Sequence, residues 1–237
     1  MSNSNFSYSL LNYWNSRYQN IYYTFDWLED YNSLKSYLEN VIKNFQDYPN
    51  IKILNIGCGT SELSEKIYTN LNTKNISNID FSEKCIEIMN ERNKDFKEME
   101  YKVMDALSLK YENNTFDLVI DKCLLDCLFC NEFPFTKCVK YFKEVQRVLK
   151  DNGIFFLVSH SDINNREVNF SNLEFLNFEI KQFVIENKFE IDRMNIPEIK
   201  RNYLYICKKI NSSKFTNELY ENILKILKEK EEILIQK

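Results

Sequence analysis

A change of pattern at residues 51–61 constrains the fold of this chain more than any other feature. The apolar, β-branched run Ile51–Ile56 breaks into Gly57-Cys58-Gly59 and then into a helical pattern. The sequence has 237 residues but only three glycines, and two of them lie in this turn. Glycine lets backbone N–H groups approach an anionic ligand where a Cβ atom would obstruct. The turn therefore predicts a strand–turn–helix unit that holds a nucleotide-like cofactor.

Beyond this turn, strand and helix patterns alternate along the chain. Strands are predicted at 51–56, 76–80, 101–103, 116–120 and 154–159, and helices at 62–71, 82–93 and 135–149. Such β-α-β-α repeats are typical of a parallel, doubly wound sheet. Two later strand patterns, at 178–185 and 203–207, have no strong helix between them and predict an antiparallel pair at one edge. The expected fold is a Rossmann-like, seven-stranded α/β sheet with additional N-terminal and C-terminal helices, the last over 214–237.

Composition excludes some classes of protein. Acidic residues outnumber basic ones by 35 to 31, which argues against a nucleic-acid binder with a broad basic surface. No apolar run approaches the roughly 18–20 residues that span a bilayer. The polar start at residues 1–5 is not that of a signal peptide. We expect a cytoplasmic protein without membrane partners.

The seven cysteines favour reduced thiols in packing roles. Apolar helix or strand patterns surround Cys58, Cys85 and Cys207, and in such patterns free cysteine behaves as a small hydrophobe. Cys127-x-x-Cys130 could begin a zinc site, but no second pair follows at zinc-ribbon spacing and the lone His160 is distant in sequence. We expect no resident metal ion.

An aspartate ends the second predicted strand. Asp80 lies 21 residues after Gly59, and an acid about 20 residues beyond such a turn is suited to accept hydrogen bonds from ribose hydroxyls. The alternative is a turn or helix-capping aspartate, which Asp80-Phe81-Ser82 also fits. The glycine turn favours the ribose role.

The first residue of the helix after the turn indicates which type of cofactor the site binds. Dinucleotide fingerprints need a third glycine where this chain has Glu62, and an acid at a helix start repels a pyrophosphate. S-adenosylmethionine has a ribose and an adenine but no phosphate, and its carboxylate could use the N–H groups of the turn. Asp105 could accept from the adenine amino group and Phe81 could lie against the ring. The alternatives are that Asp105 is a loop acid and that Phe81 is a core aromatic.

Several motifs accompany the glycine turn. They are Tyr13-Trp14-x-x-Arg17-Tyr18, Phe25-Asp26-Trp27, the run 116–122 (Phe-Asp-Leu-Val-Ile-Asp-Lys) and the pair Leu125-Asp126. With the run 55–64, they resemble class I S-adenosylmethionine-dependent methyltransferases, and most closely the translation elongation factor 1-alpha lysine methyltransferases, the methyltransferase-like 13 group. The resemblance covers roughly residues 13 to 160 and is far more specific than a lone glycine turn.

The resemblance implies a division of the chain and a set of cofactor contacts. It implies an N-terminal helical, cofactor-covering segment at 1–50, a methyltransferase domain at 51–210 and a C-terminal amphipathic helix at 211–237. The implied S-adenosylmethionine contacts are Trp14, Tyr18, Trp27, Gly57, Gly59, Asp80, Phe81, Asp105, Ala106 and Lys122. Aromatic faces favour a sulfonium cation. Without the resemblance, the sequence favours a packing role for Trp14, Tyr18 and Trp27, in which they hold an N-terminal helix against the domain.

The resemblance further implies in-line methyl transfer to a lysine of a protein, with elongation factor 1-alpha as a candidate partner and S-adenosylhomocysteine as the product. Asp126 or Asp121 could orient the amine or accept its proton. Cys123-Leu124 stands where the family commonly has Gly-Thr, which puts the shape of the acceptor pocket in question. The alternatives are a small-molecule N- or O-methyltransferase and a non-catalytic binding protein of the same fold.

Overall fold

The computed structural model describes residues 8–19, 24–130, 133–162, 177–190, 197–210 and 217–235. Within these ranges the helices are α1 (Leu11–Gln19), α2 (Tyr31–Lys43), α3 (Leu63–Asn70), α4 (Glu83–Arg92), α5 (Leu124–Phe129), α6 (Pro134–Val148) and α7 (Asn217–Ile235). The strands are β1 (Ile53–Ile56), β2 (Ile76–Asp80), β3 (Met99–Val103), β4 (Phe116–Lys122), β5 (Leu149–Ser159), β6 (Phe178–Glu190) and β7 (Pro197–Lys209).

The seven strands form one sheet in the order β3-β2-β1-β4-β5-β7-β6. Strands β1 to β5 are mutually parallel, whereas β7 runs antiparallel to both β5 and β6. The predicted Rossmann-like sheet with an antiparallel edge is confirmed. None of the helices within the described ranges is long and apolar enough to cross a membrane.

The two central strands are buried on both faces of the sheet. All four residues of β1 and all seven residues of β4 are buried. Their continuous apolar runs fit parallel strands that helices cover on both sides. Strand β4 pairs with β1 although it follows β3 in the chain, so the strand order reverses between β1 and β4. Open α/β sheets bind ligands outside the carboxyl ends of their strands at such a reversal.

Several element boundaries differ from the prediction. Strand β5 begins at Leu149 rather than at residue 154, because Leu149 pairs with Phe116 across a register shift. Strands β6 and β7 pair over thirteen residues each and form a longer hairpin than the apolar pattern indicated. Helix α5 was not predicted at all. It is six residues long, too short to show a helical period.

The C-terminal helix α7 packs on α6 through a buried carboxylate. Glu231 Oε1 accepts hydrogen bonds from the backbone N–H groups of Phe135 (2.7 Å) and Thr136 (3.1 Å), and Oε2 accepts from the Thr136 hydroxyl (2.5 Å). Tyr220 and Leu224 of α7 join the core. These contacts support the interpretation of α7 as a packing helix. Its predicted ends, 214–216 and 236–237, lie outside the described residues.

Replacing Glu231 with alanine is expected to lower the free energy of unfolding by about 2–3 kcal/mol, because buried N–H groups at the start of α6 lose a charged acceptor. Urea denaturation measures the change. The matched control is Glu229→Ala, which removes the same side chain from an exposed position on α7 and should change stability by less than about 0.5 kcal/mol. Equal losses in the two variants would contradict a capping role for Glu231.

Candidate functional site

A cavity opens at the carboxyl ends of β1 and β4. It encloses about 1060 Å³, a volume that includes the open mouth. The structure brings all ten predicted cofactor residues to its lining: Trp14, Tyr18, Trp27, Gly57, Gly59, Asp80, Phe81, Asp105, Ala106 and Lys122. Residues that are up to 108 positions apart in sequence therefore meet at the predicted end of the sheet.

Both glycines of the turn are required by backbone conformation and by space. Gly57 has φ +64° and Gly59 has φ +51°, which lie in the left-handed region that other residues rarely adopt. A Cβ added at Gly59 would lie 3.1 Å from the Tyr18 hydroxyl, and one added at Gly57 would lie 3.1 Å from Leu124 Cβ. The turn therefore packs closely against α1 on one side and α5 on the other.

Two N–H groups of the turn are directed toward β2. The Cys58 N–H donates to the Ile79 carbonyl (3.0 Å), and the Gly59 N–H donates to Asp80 Oδ2 (3.1 Å). This differs from the expectation that the N–H groups of the turn receive a carboxylate of the cofactor. The spacing of the glycines indicates a close backbone approach, but not which way the N–H groups point.

Asp80 combines both roles that its sequence allowed. Its Oδ1 accepts from the Ser82 N–H (3.0 Å) and its Oδ2 from the Gly59 N–H, so it fixes the turn at the start of α4. It also lines the cavity with 7% of its surface exposed. A carboxylate has about four acceptor positions, so these contacts leave room for further donors. Burial raises the pKa of Asp80 to about 6, against the opposing effect of the backbone hydrogen bonds.

Arg92, at the end of α4, supports the turn from the side facing away from the cavity. Its Nη1 donates to the Thr60 carbonyl (3.0 Å), its Nη2 to the Ser61 carbonyl (2.9 Å) and its Nε to Glu65 (2.7 Å). The planar guanidinium holds two successive carbonyls and a carboxylate at once. Arg92 was not predicted as part of the site, because a single arginine in a helix carries no signal of its distant partners.

The N-terminal segment covers the cavity with aromatic rings. Trp14 and Tyr18 of α1 stack with ring centroids 5.7 Å apart, and Trp27 meets Trp14 edge-on at 6.2 Å. Phe25 packs edge-on against Trp27 at 5.1 Å. Aromatic pairs in these geometries stabilise each other beyond the area that they bury. The rings therefore form a continuous apolar cover over the cavity.

Arg17 and Tyr8 also line the cavity, and neither was among the predicted cofactor contacts. The Arg17 guanidinium lies 5.3 Å from the centroid of the Phe25 ring and 5.2 Å from that of the Trp27 ring, a cation–π arrangement. The Tyr8 carbonyl accepts from Trp14 Nε1 (2.7 Å). Arg17 lies in the same motif as Trp14, one helical turn away, and that spacing was the available signal.

Lys122 joins the N-terminal segment to the sheet. Its Nζ donates to the Trp27 carbonyl (2.9 Å) and pairs with Asp26 Oδ1 (2.9 Å), and its side chain is only 5% exposed. Asp26 also accepts from the Ser61 hydroxyl. The ammonium group of Lys122 thus makes the ion pair that holds the cover on β4, a contact that the sequence did not indicate.

The predicted adenine-side residues lie together after β2 and β3. Phe81 is half-buried, and Ala106 is buried. Asp105 is exposed, and its Oδ1 accepts from the Leu107 N–H (2.8 Å). Asp105 thus stabilises its own loop, which was the alternative interpretation, while it also lines the cavity. One carboxylate can serve both purposes.

Asp121, one of the two predicted catalytic acids, is fully buried behind α5. Its Oδ1 accepts from the Leu124 N–H (2.7 Å), and its Oδ2 accepts from the Leu125 N–H (3.1 Å) and the Tyr141 hydroxyl (2.7 Å). Burial raises its pKa to about 7. Asp121 is not among the residues that line the cavity in the described chain. Its contacts are those of a residue that holds α5 on β4.

Asp126, the other predicted acid, joins α5 to the end of β5. Its Oδ1 accepts from the Ser159 hydroxyl (2.7 Å) and lies 2.8 Å from His160 Nδ1, while its Oδ2 accepts from the His160 N–H (3.1 Å). It too is absent from the lining of the cavity in the described ranges. Direct contact of Asp121 or Asp126 with a methyl acceptor stays a prediction.

The chain is similar to known proteins in sequence and in structure. A family model described as "Methyltransferase domain" matches residues 47–166. The chain is 36% identical over 138 residues to the eEF1A lysine and N-terminal methyltransferase homolog of Drosophila pseudoobscura pseudoobscura, over 57% of this chain and 20% of that protein. It is 35% identical over 138 residues to the eEF1A lysine and N-terminal methyltransferase of Homo sapiens, over 57% and 19%. The chain thus matches about a fifth of the length of these relatives.

Solved structures share the fold. The YcgJ protein from Bacillus subtilis superposes with a TM-score of 0.59 at 14% identity, over 77% of this chain and all of that one. A SAM-dependent methyltransferase from Methanosarcina mazei superposes with a TM-score of 0.53 at 18% identity, over 73% and 98%. At these identities the likeness is one of fold.

Cys123 stands in the left-handed region at the junction of β4 and α5, with φ +82°. A Cβ atom is strained there, so Cys123→Gly should be more stable than Cys123→Ala by about 0.5–1 kcal/mol. Chemical denaturation of the two variants measures the difference. The same pair at Cys127, inside α5, is the control and should show the reverse order by up to about 1 kcal/mol. Alanine more stable at both positions would contradict strain at Cys123.

Proposed function

The chain belongs to the methyltransferase domain family, and on that premise we propose that it transfers a methyl group from S-adenosylmethionine to a lysine side chain of a protein. One observation carries the proposal. A cavity at the strand reversal is lined by every residue that the elongation factor methyltransferase motifs implied for the cofactor. The names of the relatives support the choice of a protein amine as acceptor.

The residues of the cavity fit this cofactor. Asp80 lines the cavity and has acceptor capacity for ribose hydroxyls beyond its bonds to the Gly59 and Ser82 N–H groups. In the proposal, Phe81, Asp105 and Ala106 would hold the adenine, and the rings of Trp14, Tyr18 and Trp27 would attract the charge of the sulfonium. The bound cofactor supplies an electrophilic methyl group.

The chain contributes positioning and exclusion of water. The aromatic cover, held down by the pair of Lys122 and Asp26, keeps the reacting groups in an apolar space. Such a space lowers the pKa of an entering lysine, and only its neutral amine can attack. Asp121 and Asp126 fix the α5 wall of the site. That one of them also orients the amine or accepts its proton stays a prediction.

We propose elongation factor 1-alpha as the protein substrate and the cytoplasm as the site of action, since the relatives are named for eEF1A. The same names also include N-terminal methylation, so an α-amine is a second acceptor to test. A small-molecule acceptor is a further candidate. The family model matches residues 47–166 and ends before the β6–β7 hairpin. The hairpin is where we expect the surface that selects the acceptor, so the match leaves the acceptor class open to this alternative.

The first test incubates the chain with radiolabelled-methyl S-adenosylmethionine and a demethylated cytosolic lysate. We expect one labelled band at the size of elongation factor 1-alpha, with Asp80→Ala inactive because a ribose acceptor is lost. Purified elongation factor 1-alpha with an acetylated N-terminus distinguishes the two acceptors. It should still be labelled if a lysine is the acceptor, and it should not be labelled if the α-amine is. Cofactor binding in a thermal-shift assay without any labelled protein would contradict the proposed substrate class.

A second test uses pH. Asp80 has a folded-state pKa of about 6, and the ionised carboxylate is the form that accepts from ribose. Affinity for S-adenosylhomocysteine should level off about one pH unit above this pKa and should fall as pH drops through it, by up to about tenfold per pH unit, because binding then requires loss of a proton. Isothermal titration calorimetry between pH 5 and pH 8 measures the profile.

The matched control is Asp80→Asn, which cannot titrate. It should bind more weakly at pH 8, and its affinity should change little between pH 5 and pH 8. Asp121 also titrates in this range but does not line the cavity. A slope that persisted in Asp80→Asn would therefore assign the pH dependence to Asp121 or to another group, and the ribose role of Asp80 would be wrong.

A further inference from the structure

Two thiols and a carboxylate converge beneath the cavity. The Sγ atoms of Cys58 and Cys85 and a carboxylate oxygen of Asp80 all lie within 4.8 Å of one another. They come from three elements, namely the turn after β1, the start of α4 and the end of β2. All three side chains are buried, Cys85 completely. Within the described residues this is the one place where three such donors come so close.

We propose that Cys58, Cys85 and Asp80 bind a thiophilic divalent cation such as Zn²⁺, and that this ion and the methyl-donor cofactor exclude each other. The exclusion rests on the proposed function, whereas the metal site does not. Three protein ligands with a fourth position for water or another ligand is a common zinc arrangement. With Zn–S bonds near 2.3 Å, tetrahedral donors lie about 3.8 Å apart, so the three need to close by about 1 Å at most.

The cavity gives a divalent cation access to the three donors, and their negative charges suit it. Cys58 and Asp80 line the cavity, which gives the ion a path to a buried site. On binding, each thiol forms a metal–sulfur bond and releases its proton to solvent, so two protons leave for each ion bound. Two thiolates and a carboxylate then surround a doubly charged cation, and the buried negative charges are compensated.

Exclusion follows from the two groups that the cofactor and the ion would share. Asp80 is the proposed ribose acceptor, and coordination to a metal takes up the same oxygens. Cys58 lies between the two glycines of the turn, so drawing its sulfur toward Cys85 shifts the backbone that the cofactor approaches. A side-chain hydrogen bond joins the Cys58 and Cys85 thiols and holds the two sulfur atoms together. Cys138 and Cys207 are also fully buried, yet they belong to no such group in the part of the chain that the structure describes.

The test is a titration of the full, reduced chain with Cd²⁺, a spectroscopic substitute for Zn²⁺, followed by thiolate-to-metal charge-transfer absorption in the ultraviolet. We expect saturation at one ion per chain and release of two protons. Cys85→Ala and Cys85→Ser should each weaken Cd²⁺ binding by at least about tenfold, because a ligand is lost. Cys85 does not line the cavity, so both variants should still bind S-adenosylhomocysteine.

Two controls separate this site from other thiols. Cys207→Ala removes a buried thiol from β7 and should leave Cd²⁺ binding unchanged. Cys127→Ala tests the rival pair Cys123 and Cys127 at the cavity wall. Loss of the absorption band in Cys127→Ala but not in the Cys85 variants would overturn the proposal, as would saturation without a charge-transfer band.

Competition completes the test. Saturating S-adenosylhomocysteine should raise the apparent Kd for Cd²⁺ in the parent chain in proportion to its concentration, and simultaneous binding of both would overturn the exclusion. If the parent chain bound Cd²⁺ through Cys85 but never bound S-adenosylhomocysteine, the proposed function and the exclusion would fail while the metal site would stand.

Discussion

The carboxylate of Asp80 ties the end of β2 to the glycine turn after β1, and the geometry of the site depends on that contact. The Gly59 N–H must point toward β2 to reach it, which fixes the left-handed turn and the position of the glycine. Because Gly59 has no side chain, the Tyr18 hydroxyl can lie against the turn. Arg92 holds the following two carbonyls from the opposite side. A single buried acid therefore sets the positions of a loop, a helix start and part of the aromatic cover.

The cover itself is attached by charge as well as by packing. An ion pair in which Lys122 is nearly inaccessible to water, reinforced by a hydrogen bond to the Trp27 carbonyl, holds residues 26 and 27 at the end of β4. Breaking one partner of such a pair costs much more than the pair gains over an apolar contact, because the other charge stays buried. The N-terminal segment is thus part of the site. The sheet alone would leave the cavity open to solvent on that side.

Local patterns predicted the sheet and the acid of the site, because strands follow from periodicity and the spacing from Gly59 located Asp80 at a strand end. The aromatic cover and most of the other lining residues were implied only by the family resemblance, since the residues themselves favoured a packing role for Trp14, Tyr18 and Trp27. The missed features depend on partners distant in sequence. The hydrogen bonds of Glu231 to α6, the three acceptors of Arg92 and the ion pair of Lys122 leave no trace in the residues around them. Helix α5 was not predicted, because a six-residue helix that follows a cysteine in the left-handed conformation is too short to show a helical period.

The pairing of Lys122 with the N-terminal segment also has a consequence for the order of assembly. Its hydrogen bond to Trp27 closes a loop of 95 residues, and β4 must insert beside β1 before that bond can form. Contacts between distant residues form late, since the entropy of loop closure must be overcome first. During synthesis on the ribosome, the aromatic segment therefore emerges before Lys122, the residue to which it bonds in the folded chain. The cavity becomes complete only after the strand that carries Lys122 has left the exit tunnel and docked.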